Sequence, residues 1–329
     1  MTEAAWEDER HGAMPELRRL IGDNKVVRGK RGWLFLANDS NDVMSQHAGT
    51  RTLSADEVER WRACLEDRTA RLGEKGISYL CLVAPDTHSV YPEMLPEGFE
   101  TTHWRPIHKL LRRLHETGSP ARLIYPLEEL IAEKPKRLVY SAFDTHWTAV
   151  GALVAYTRLM KDVREEVPVR ELDPAQVSFT TRLMPGELRY KLGFDDDVEH
   201  LQAVFPVSAR LVDDNRVVNQ GSCAVIECKD APRTKCILFG DSYSLAILPY
   251  LAESFGRLVY AHCPWHDYGL IEREQPDVVV SLFAERFLIY IPDDAHGETV
   301  AGLARRKLSQ GLTRPRLPMW DYAPPGGKD

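Results

Sequence analysis

The chain has 329 residues, of which 43% are hydrophobic, and this is enough for a large buried core. Its 42 Lys and Arg against 49 Asp and Glu give a net charge of −7, and the one short basic cluster is Arg28 to Arg31. This balance argues against nucleic acid or an anionic membrane as a partner, and no run approaches the roughly 18 apolar residues that membrane insertion requires.

The cellular compartment of the protein is predicted from the start of the chain and from its cysteines. The first ten residues are polar and acidic, without the basic start and apolar centre of a signal peptide. The six cysteines show no metal-type CxxC spacing, and Cys81 and Cys236 lie in apolar runs that predict buried thiols. We therefore expect a cytoplasmic protein.

The first half of the chain predicts an N-terminal helical segment over 1–24 and the start of one elaborated domain over 25–310. Glycines, prolines and capping residues separate its apolar and amphipathic stretches. The predicted elements are two strands and their turn over Val26–Ala37, a helix from the capping box Ser54–Glu57 to about Lys75, a strand over Ile77–Ala84, a helix over Trp104–Glu116, a strand over Arg122–Tyr125, and helices over Pro126–Glu133 and Ala149–Asp162.

The second half begins with a less regular region, about 168–222, which we predict to be an insertion or lid. Regular alternation then resumes, and residues 311–329 form a tail whose Pro- and Gly-rich part, Arg314–Asp329, is predicted to be mobile. The remaining predicted elements are strands over Lys235–Phe239, Arg257–His262 and Asp277–Phe283, a helix over Ser244–Phe255, and a helical turn over Ile271–Gln275. Alternating strands and helices predict an α/β fold with a mainly parallel sheet.

Ser242 lies in the sequence Gly-Asp-Ser-Tyr, between a predicted strand and a predicted helix. Such a turn places the serine at the carboxyl end of the sheet, where α/β folds bind ligands, and beside the positive end of a helix. Gly240 keeps the turn tight and leaves room for a substrate. The alternative is that Asp241 or Ser242 only caps the helix.

Asp144 and His146 supply the other groups that a serine nucleophile needs. A histidine can act as general base, and a carboxylate can orient its ring and stabilise the imidazolium. Trp147 could exclude water from the pair. The alternative is that Asp144 caps the following helix and His146 lies in its first turn.

Other histidines and one arginine need weighing. His262, Cys263 and His266 offer three metal ligands in five residues, but the spacing matches no common zinc site, so we predict no metal and expect the segment to line the cleft. Glu285 and Arg286 form either a structural ion pair or an arginine contact to substrate. We expect His88, His103 and His108 to be surface or core histidines.

The chain resembles the alginate O-acetyltransferase family of the AlgX/AlgJ type, within the SGNH hydrolase-like superfamily. The similarity covers about residues 25–290 and follows several blocks in order. These blocks are Gly29–Leu36, Ala84–Glu93, Tyr140–Gly151, Phe239–Ser242, Pro276–Val280 and Glu285–Leu288.

The resemblance implies a flavodoxin-like SGNH hydrolase-like fold, with helices on both faces of the sheet and a circularly permuted block order. It implies Ser242 as nucleophile, His146 as base and Asp144 as orienting carboxylate, with an acyl-serine intermediate. The predicted oxyanion or substrate-binding residues are Gly240, Tyr243, Trp147, Tyr140, Arg286 and His266.

The resulting hypothesis is an O-acyltransferase, most simply an O-acetyltransferase, that modifies a hydroxyl of a sugar or glycosylated small molecule. Members that modify alginate are exported, whereas this chain shows no export signal, and its net charge and Thr87, where the family commonly has lysine, argue against an anionic acceptor. No cofactor is expected; the acyl donor could be acetyl-CoA, an acyl carrier or a donor protein. The alternatives are an esterase with the same triad and a non-catalytic binding protein.

Overall fold

The computed structural model describes Leu17 and residues 20–317. Most of the helical segment predicted over 1–24 therefore lies outside the described residues, as does the tail beyond residue 317. Among the described helices, none combines the length and the apolar character needed to cross a membrane.

The chain alternates between strands and helices along most of its length. The strands are β1 (Val26–Arg28), β2 (Leu34–Leu36), β3 (Ser78–Ala84), β4 (Leu123–Ile124), β5 (Ser178–Pro185), β6 (Asp197–Val204), β7 (Ala209–Asp214), β8 (Cys223–Cys228), β9 (Lys235–Gly240), β10 (Arg257–His262) and β11 (Val278–Ala284). The helices are α1 (Val43–Ala48), α2 (Ala55–Gly73), α3 (Thr87–Val90), α4 (Pro106–Glu116), α5 (Leu127–Glu133), α6 (Ala149–Glu166), α7 (Glu187–Lys191), α8 (Ser244–Ala252), α9 (Tyr268–Glu274) and α10 (Val300–Ser309).

Seven strands form the central sheet in the order β4-β3-β11-β9-β10-β8-β7. The first five are parallel to one another, and β8 and β7 extend the sheet in antiparallel fashion. The predicted α/β fold with a mainly parallel sheet is confirmed. Because β9 lies between β11 and β10, the residues that follow Gly240 emerge near the middle of the carboxyl edge of the sheet.

Helices cover both faces of this sheet. Along β3, Leu80 and Leu82 pack into a cluster that contains apolar residues of α6 and α8, whereas Cys81 and Val83 pack against α2 and α4 on the other face. This alternation follows from the two-residue period of a strand. Each fully buried aliphatic side chain of this kind contributes about 1.5–3 kcal/mol, which makes the sheet a rigid support for the loops at its edge.

The region 168–222, predicted to be less regular, contains regular strands. Strands β5 and β6 pair there as an antiparallel hairpin, from Ser178 opposite Val204 to Pro185 opposite Asp197. Strand β7 also lies in this region, but it pairs with β8 and so joins the central sheet. Neither β7 nor β8 was predicted from the sequence. Strand β7 carries Arg210 and Asp213 at exposed positions, which weakens its apolar signal, whereas β8 is largely apolar with one charged residue, Glu227.

The tail is docked where it was predicted to be mobile. Thr313 forms an isolated bridge with Val217, and the Arg314 guanidinium binds Asp214 at 2.8 Å. Leu317 is buried. The prediction of a mobile segment from Arg314 is therefore wrong as far as residue 317. Cys81 and Cys236 are buried free thiols, as predicted.

Gly151, in the first turn of α6, tests how tightly this helix packs against the preceding loop. A Cβ there would overlap the Val139 carbonyl oxygen. We expect Gly151→Ala to lower the free energy of unfolding by about 1–3 kcal/mol in urea titrations. Gly73→Ala is the matched control, because a Cβ there meets nothing within 4 Å; it should leave stability unchanged or raise it by up to about 1 kcal/mol. Equal effects of the two substitutions would contradict this packing.

Candidate active site

The turn between β9 and α8 carries Ser242, and its shape is fixed by the two residues before the serine. A Cβ on Gly240 would overlap the Ser244 hydroxyl and approach the Leu282 carbonyl oxygen to 2.9 Å, so a larger residue does not fit. The Asp241 carboxylate accepts hydrogen bonds from the backbone N–H of Tyr243 and of Ala284, both at 2.8 Å. These contacts attach the turn to β11 and hold Ser242 at the edge of the sheet.

The second loop, Asp144 to Trp147, immediately precedes α6. The cap of that helix is Thr148, whose side chain accepts from the Gly151 N–H at 3.3 Å, so the alternative in which Asp144 caps α6 is wrong. Asp144 Oδ1 instead accepts from the backbone N–H of His146 at 2.9 Å. The same oxygen lies 2.7 Å from His146 Nδ1.

The structure brings Asp144, His146 and Ser242 together in one chain of hydrogen bonds. His146 Nε2 lies 2.8 Å from Ser242 Oγ, across 96 residues of sequence. When Nδ1–H donates to Asp144, Nε2 is left as the acceptor for the serine hydroxyl proton. The His146 side chain is 30% exposed, so a ligand can reach it.

Electrostatics favour the charged pair that such a chain needs. Burial opposes ionisation of the Asp144 carboxyl, but the hydrogen bonds from His146 outweigh it and hold the pKa of this carboxyl below its ordinary value. Burial also disfavours a charged His146, yet the contact with Asp144 raises the pKa of the imidazole above its ordinary value. The ring can therefore accept a proton from Ser242 and be stabilised as imidazolium.

Glu187, at the start of α7, is a further acidic group that the sequence did not reveal. Its Oε2 lies 3.6 Å from His146 Nδ1 and accepts from the Thr145 hydroxyl at 2.5 Å. Its backbone N–H donates to Asp144 Oδ2 at 3.4 Å. A five-residue helix in a region without periodicity gave no signal that could have identified it.

Tyr243 joins the two loops. Its hydroxyl donates to the Thr145 carbonyl, its own carbonyl accepts from Trp147 Nε1 at 3.0 Å, and its ring lies 5.0 Å from the His146 ring between centroids. Tyr243 and Trp147 are both buried. Tyr243 aligns the serine turn with the histidine loop, and Trp147 joins this contact while also lining the groove beside His146.

Arg286 is also buried rather than open to a ligand. Its Nη1 donates to Asp86 Oδ1 at 2.5 Å and to the Tyr243 hydroxyl at 3.1 Å. Burial opposes ionisation of this guanidinium, but Tyr243 and Asp86 keep its pKa well above the ordinary value. The ion-pair interpretation therefore describes Arg286 better than a substrate contact, although its partner is Asp86 and Glu285 pairs instead with Arg105 at 3.3 Å.

The other two predicted binding residues lie away from the serine. Tyr140 is fully buried and donates to the Pro85 carbonyl. His266 is buried below the edge of the sheet, with Nε2 2.9 Å from Ser281 Oγ. Neither position supports a contact with substrate. His88 is a core histidine that bonds the Leu36 carbonyl, and burial lowers its pKa to about 3.

Metal binding has weak support in the described part of the chain. Two groups hold three potential ligand atoms within 4.8 Å of one another: the Asp144, His146 and Glu187 group, and the buried His47, Asp86 and Glu285 group. In the buried group, the guanidiniums of Arg286 and Arg105 already neutralise the two carboxylates. A divalent cation there would add buried charge without a counter-ion.

Two cavities flank the serine turn. A groove of about 370 Å³ is lined by Asp144, His146 and Trp147, the start of α8, the β5–β6 hairpin and Leu317. A larger cavity of about 630 Å³ lies at the carboxyl ends of β9, β10 and β11 and reaches Gly240 and Asp241. His262, Cys263 and Trp265 line this second cavity, in agreement with the expectation that their segment borders the cleft.

Comparisons with known proteins identify relatives along most of the chain. A family model described as an SGNH hydrolase-like domain of the acetyltransferase AlgX matches residues 26–263. A probable alginate O-acetylase, AlgJ of Pseudomonas fluorescens, is 24% identical over 305 residues, which are 90% of this chain and 67% of that relative.

Solved structures show the same fold. Bacillus cereus PatB1 superposes with a TM-score of 0.59 at 17% identity, over 80% of this chain and 96% of that one. The O-acetyltransferase domain of Pseudomonas putida AlgJ gives a TM-score of 0.56 at 17% identity, over 85% of this chain and 99% of that one. The predicted SGNH hydrolase-like fold is confirmed.

Tyr243→Phe tests whether the tyrosine hydroxyl positions the site. Its loss leaves the Thr145 carbonyl and the Arg286 guanidinium each one partner short inside the protein, at a cost of about 1–3 kcal/mol in unfolding free energy. We also expect Ser242 to react about tenfold to a hundredfold more slowly with a fluorophosphonate probe.

Tyr290→Phe is the matched control, since its hydroxyl bonds the Ser40 carbonyl on a 53% exposed side chain. It should change neither quantity appreciably. An unchanged probe reaction in Tyr243→Phe would show that the hydroxyl does not position the two loops.

Proposed function

The chain belongs to the AlgX family of SGNH hydrolase-like acetyltransferase domains, and from this premise we propose that it is an O-acetyltransferase with Ser242 as nucleophile. Family membership makes it an SGNH-like O-acyltransferase. The observation that supports the specific mechanism is the position of the His146 ring, 2.8 Å from Ser242 Oγ and 2.7 Å from Asp144 Oδ1.

The first half-reaction forms an acyl-serine. Ser242 Oγ attacks the carbonyl carbon of the acyl donor while His146 Nε2 takes the hydroxyl proton. The tetrahedral intermediate then collapses, the bond to the leaving group breaks, and the imidazolium returns its proton to that group. Asp144 stabilises the imidazolium and keeps Nδ1 protonated throughout.

The second half-reaction uses the same groups in reverse. A hydroxyl of the acceptor gives its proton to His146 Nε2 and attacks the acyl carbon. The new ester leaves as the Ser242 Oγ–acyl bond breaks, and the imidazolium returns the proton to Ser242. No cofactor is needed for this chemistry, only an acyl donor such as acetyl-CoA, an acyl carrier or a donor protein.

The backbone N–H of Ser242 is the first candidate for an oxyanion donor. It precedes the first turn of α8, and within the described residues it donates no hydrogen bond to another group. A free N–H at the start of a helix can stabilise the negative oxygen of the tetrahedral intermediate. The absence of a side chain at Gly240 allows the Ser244 hydroxyl and the Leu282 carbonyl to pack against the turn that carries this N–H.

The acceptor that we propose is a hydroxyl of a sugar or a glycosylated small molecule, in line with the carbohydrate chemistry named for the AlgJ relative. Hydrolysis is the second candidate function, because the 30% exposure of His146 also admits water to the acyl-serine. The two functions differ in whether an added acceptor diverts the acyl group away from acetate.

Intact mass spectrometry after exposure to p-nitrophenyl acetate tests the nucleophile. We expect one added acetyl group in the wild-type protein and none in Ser242→Ala, with p-nitrophenol release reduced by about 10⁴-fold or more. Ser244→Ala is the control, since this buried serine lies two residues away. An acetyl adduct that persists in Ser242→Ala would contradict the assignment.

The pH dependence of acylation tests the base. His146 must be neutral to accept the serine proton, and its pKa lies above its ordinary value of 6.5. The acylation rate should therefore rise with pH through a midpoint above 6.5, as measured by stopped-flow p-nitrophenol release. In Glu187→Gln this midpoint should move down, because a nearby negative charge is lost. A midpoint below 6.5 in the wild type would argue against His146 as the base.

A further inference from the structure

We propose that the 370 Å³ groove beside His146 is the acceptor site, and that its acceptor is an uncharged hydroxyl compound with an apolar body. An alkyl or aryl glycoside is of this class, whereas a uronate is not. The inference rests on the proposed function, because it assigns the acceptor of that reaction. It follows from the position of the groove against His146 and Asp144, and from the other side chains that line it.

The proposed reaction determines from which side of Ser242 the acceptor must approach. His146 Nε2 gives a proton to the leaving group and takes one from the acceptor, so the acceptor hydroxyl must approach the face of Ser242 that carries the imidazole. Asp144, His146 and Trp147 line the groove. The 630 Å³ cavity instead reaches the turn through Gly240 and Asp241, and neither His146 nor Asp144 lines it.

The walls of the groove are largely apolar. Phe205, Leu245, Pro249, Tyr250 and Leu317 contribute to them. Met184, Val207 and Leu245 also line the groove and are 37%, 43% and 41% exposed, so a ligand in the groove can contact apolar surface there. An apolar group that enters here gains about 25 cal/mol for each Å² removed from water.

The charges around the groove disfavour an anion. Among the described residues that line it, none is lysine or arginine. Asp144 lines it, and Glu187 lies 3.6 Å from His146 Nδ1. Lys191 is the basic neighbour of Glu187, but the two pair with each other at 3.1 Å. A uronate carboxylate would therefore meet the carboxylates of Asp144 and Glu187, and no described lysine or arginine lines the groove to bind it.

Polar side chains are nevertheless present on one wall. His200 and Gln202 lie two residues apart on β6 and both line the groove. Gln202 Nε2 contacts only the weak acceptor Met184 Sδ, at 3.9 Å, and His200 Nε2 has no partner in the described part of the chain. A few such groups in an apolar pocket are typical of sites that orient a ligand.

The test supplies p-nitrophenyl acetate as donor and compares three acceptors: phenyl β-glucoside, phenyl β-glucuronide and methyl β-glucoside. The first pair differs in charge and also in the C6 hydroxyl, which the glucuronide lacks. The uncharged amide, phenyl β-glucuronamide, is therefore the reference for charge, and it should receive acetyl at least about tenfold more efficiently than the glucuronide. The outer pair differs in the apolar group. We expect phenyl β-glucoside to receive acetyl at least about tenfold more efficiently than the glucuronide or the methyl glucoside, as measured by chromatography of the ester products. Equal transfer to the glucuronide, or to the methyl glycoside, would overturn the proposal.

Two valine-to-lysine substitutions test whether the discrimination against the glucuronide arises at the groove. Val207→Lys places a cation on the rim and should reduce the discrimination against the glucuronide by about tenfold, relative to each protein's own acylation rate. Val212→Lys is the control, because Val212 is 55% exposed and does not line the groove. If both variants shift the preference equally, the effect is one of net charge and the groove is not the acceptor site.

Failures of the two proposals are distinguishable. Acyl-serine formation followed only by hydrolysis, with no acceptor modified, would overturn the acceptor site and leave the nucleophile assignment intact. If no acyl-serine forms, the proposed function fails, and calorimetry then decides the ligand class. In that measurement Ser242→Ala should bind phenyl β-glucoside at least about tenfold more tightly than the glucuronide; equal or reversed affinities would overturn the inference.

Discussion

The hydrogen bond between His146 Nε2 and Ser242 Oγ is the contact on which the site depends. It joins a loop before α6 to a turn after β9, and these are 96 residues apart in the chain. An error of about 1 Å between such groups can cost a hundredfold in rate, so both segments must be held firmly. The close approaches at Gly240 and Gly151 and the cap at Thr148 hold them.

A buried layer of polar groups connects those two segments below the surface. Asp86 binds Arg286, Arg286 binds the Tyr243 hydroxyl, and that hydroxyl binds the Thr145 carbonyl beside His146. Breaking a buried ion pair on one side commonly costs 3–5 kcal/mol, roughly, because the other charge is left without a partner. The layer therefore favours one arrangement of the loops, and its residues are buried beside the proposed triad.

Much of the fold could be predicted from the sequence, since the central strands are apolar on both faces. The run Ile77–Ala84 is an example, and β3 occupies nearly all of it. The edge strand β7 could not, because its exposed positions include Arg210 and Asp213. Its neighbour β8 was also missed, although its sequence is largely apolar. The three groups of the proposed triad were found because their chemistry requires particular residue types. The position of Glu187 beside His146 and the contacts of the buried Tyr243 arise between segments that are distant in the sequence. A local sequence pattern does not indicate such contacts.

The ligand shows the same difference between what the sequence indicates and what only the folded structure reveals. Family membership indicates acetyl transfer, while the acceptor that we propose rests on the side chains around the groove of this chain. Both half-reactions of the proposed transfer depend on the charge state of His146, whose imidazolium Asp144 stabilises.

The most direct measurement is a ¹⁵N nuclear magnetic resonance titration of the His146 ring in the wild-type protein and in Asp144→Asn. The account predicts a His146 pKa above 6.5 in the wild type, with the proton of the neutral ring on Nδ1, and a lower pKa in Asp144→Asn. The same pKa in both proteins, or a neutral ring protonated on Nε2, would contradict it.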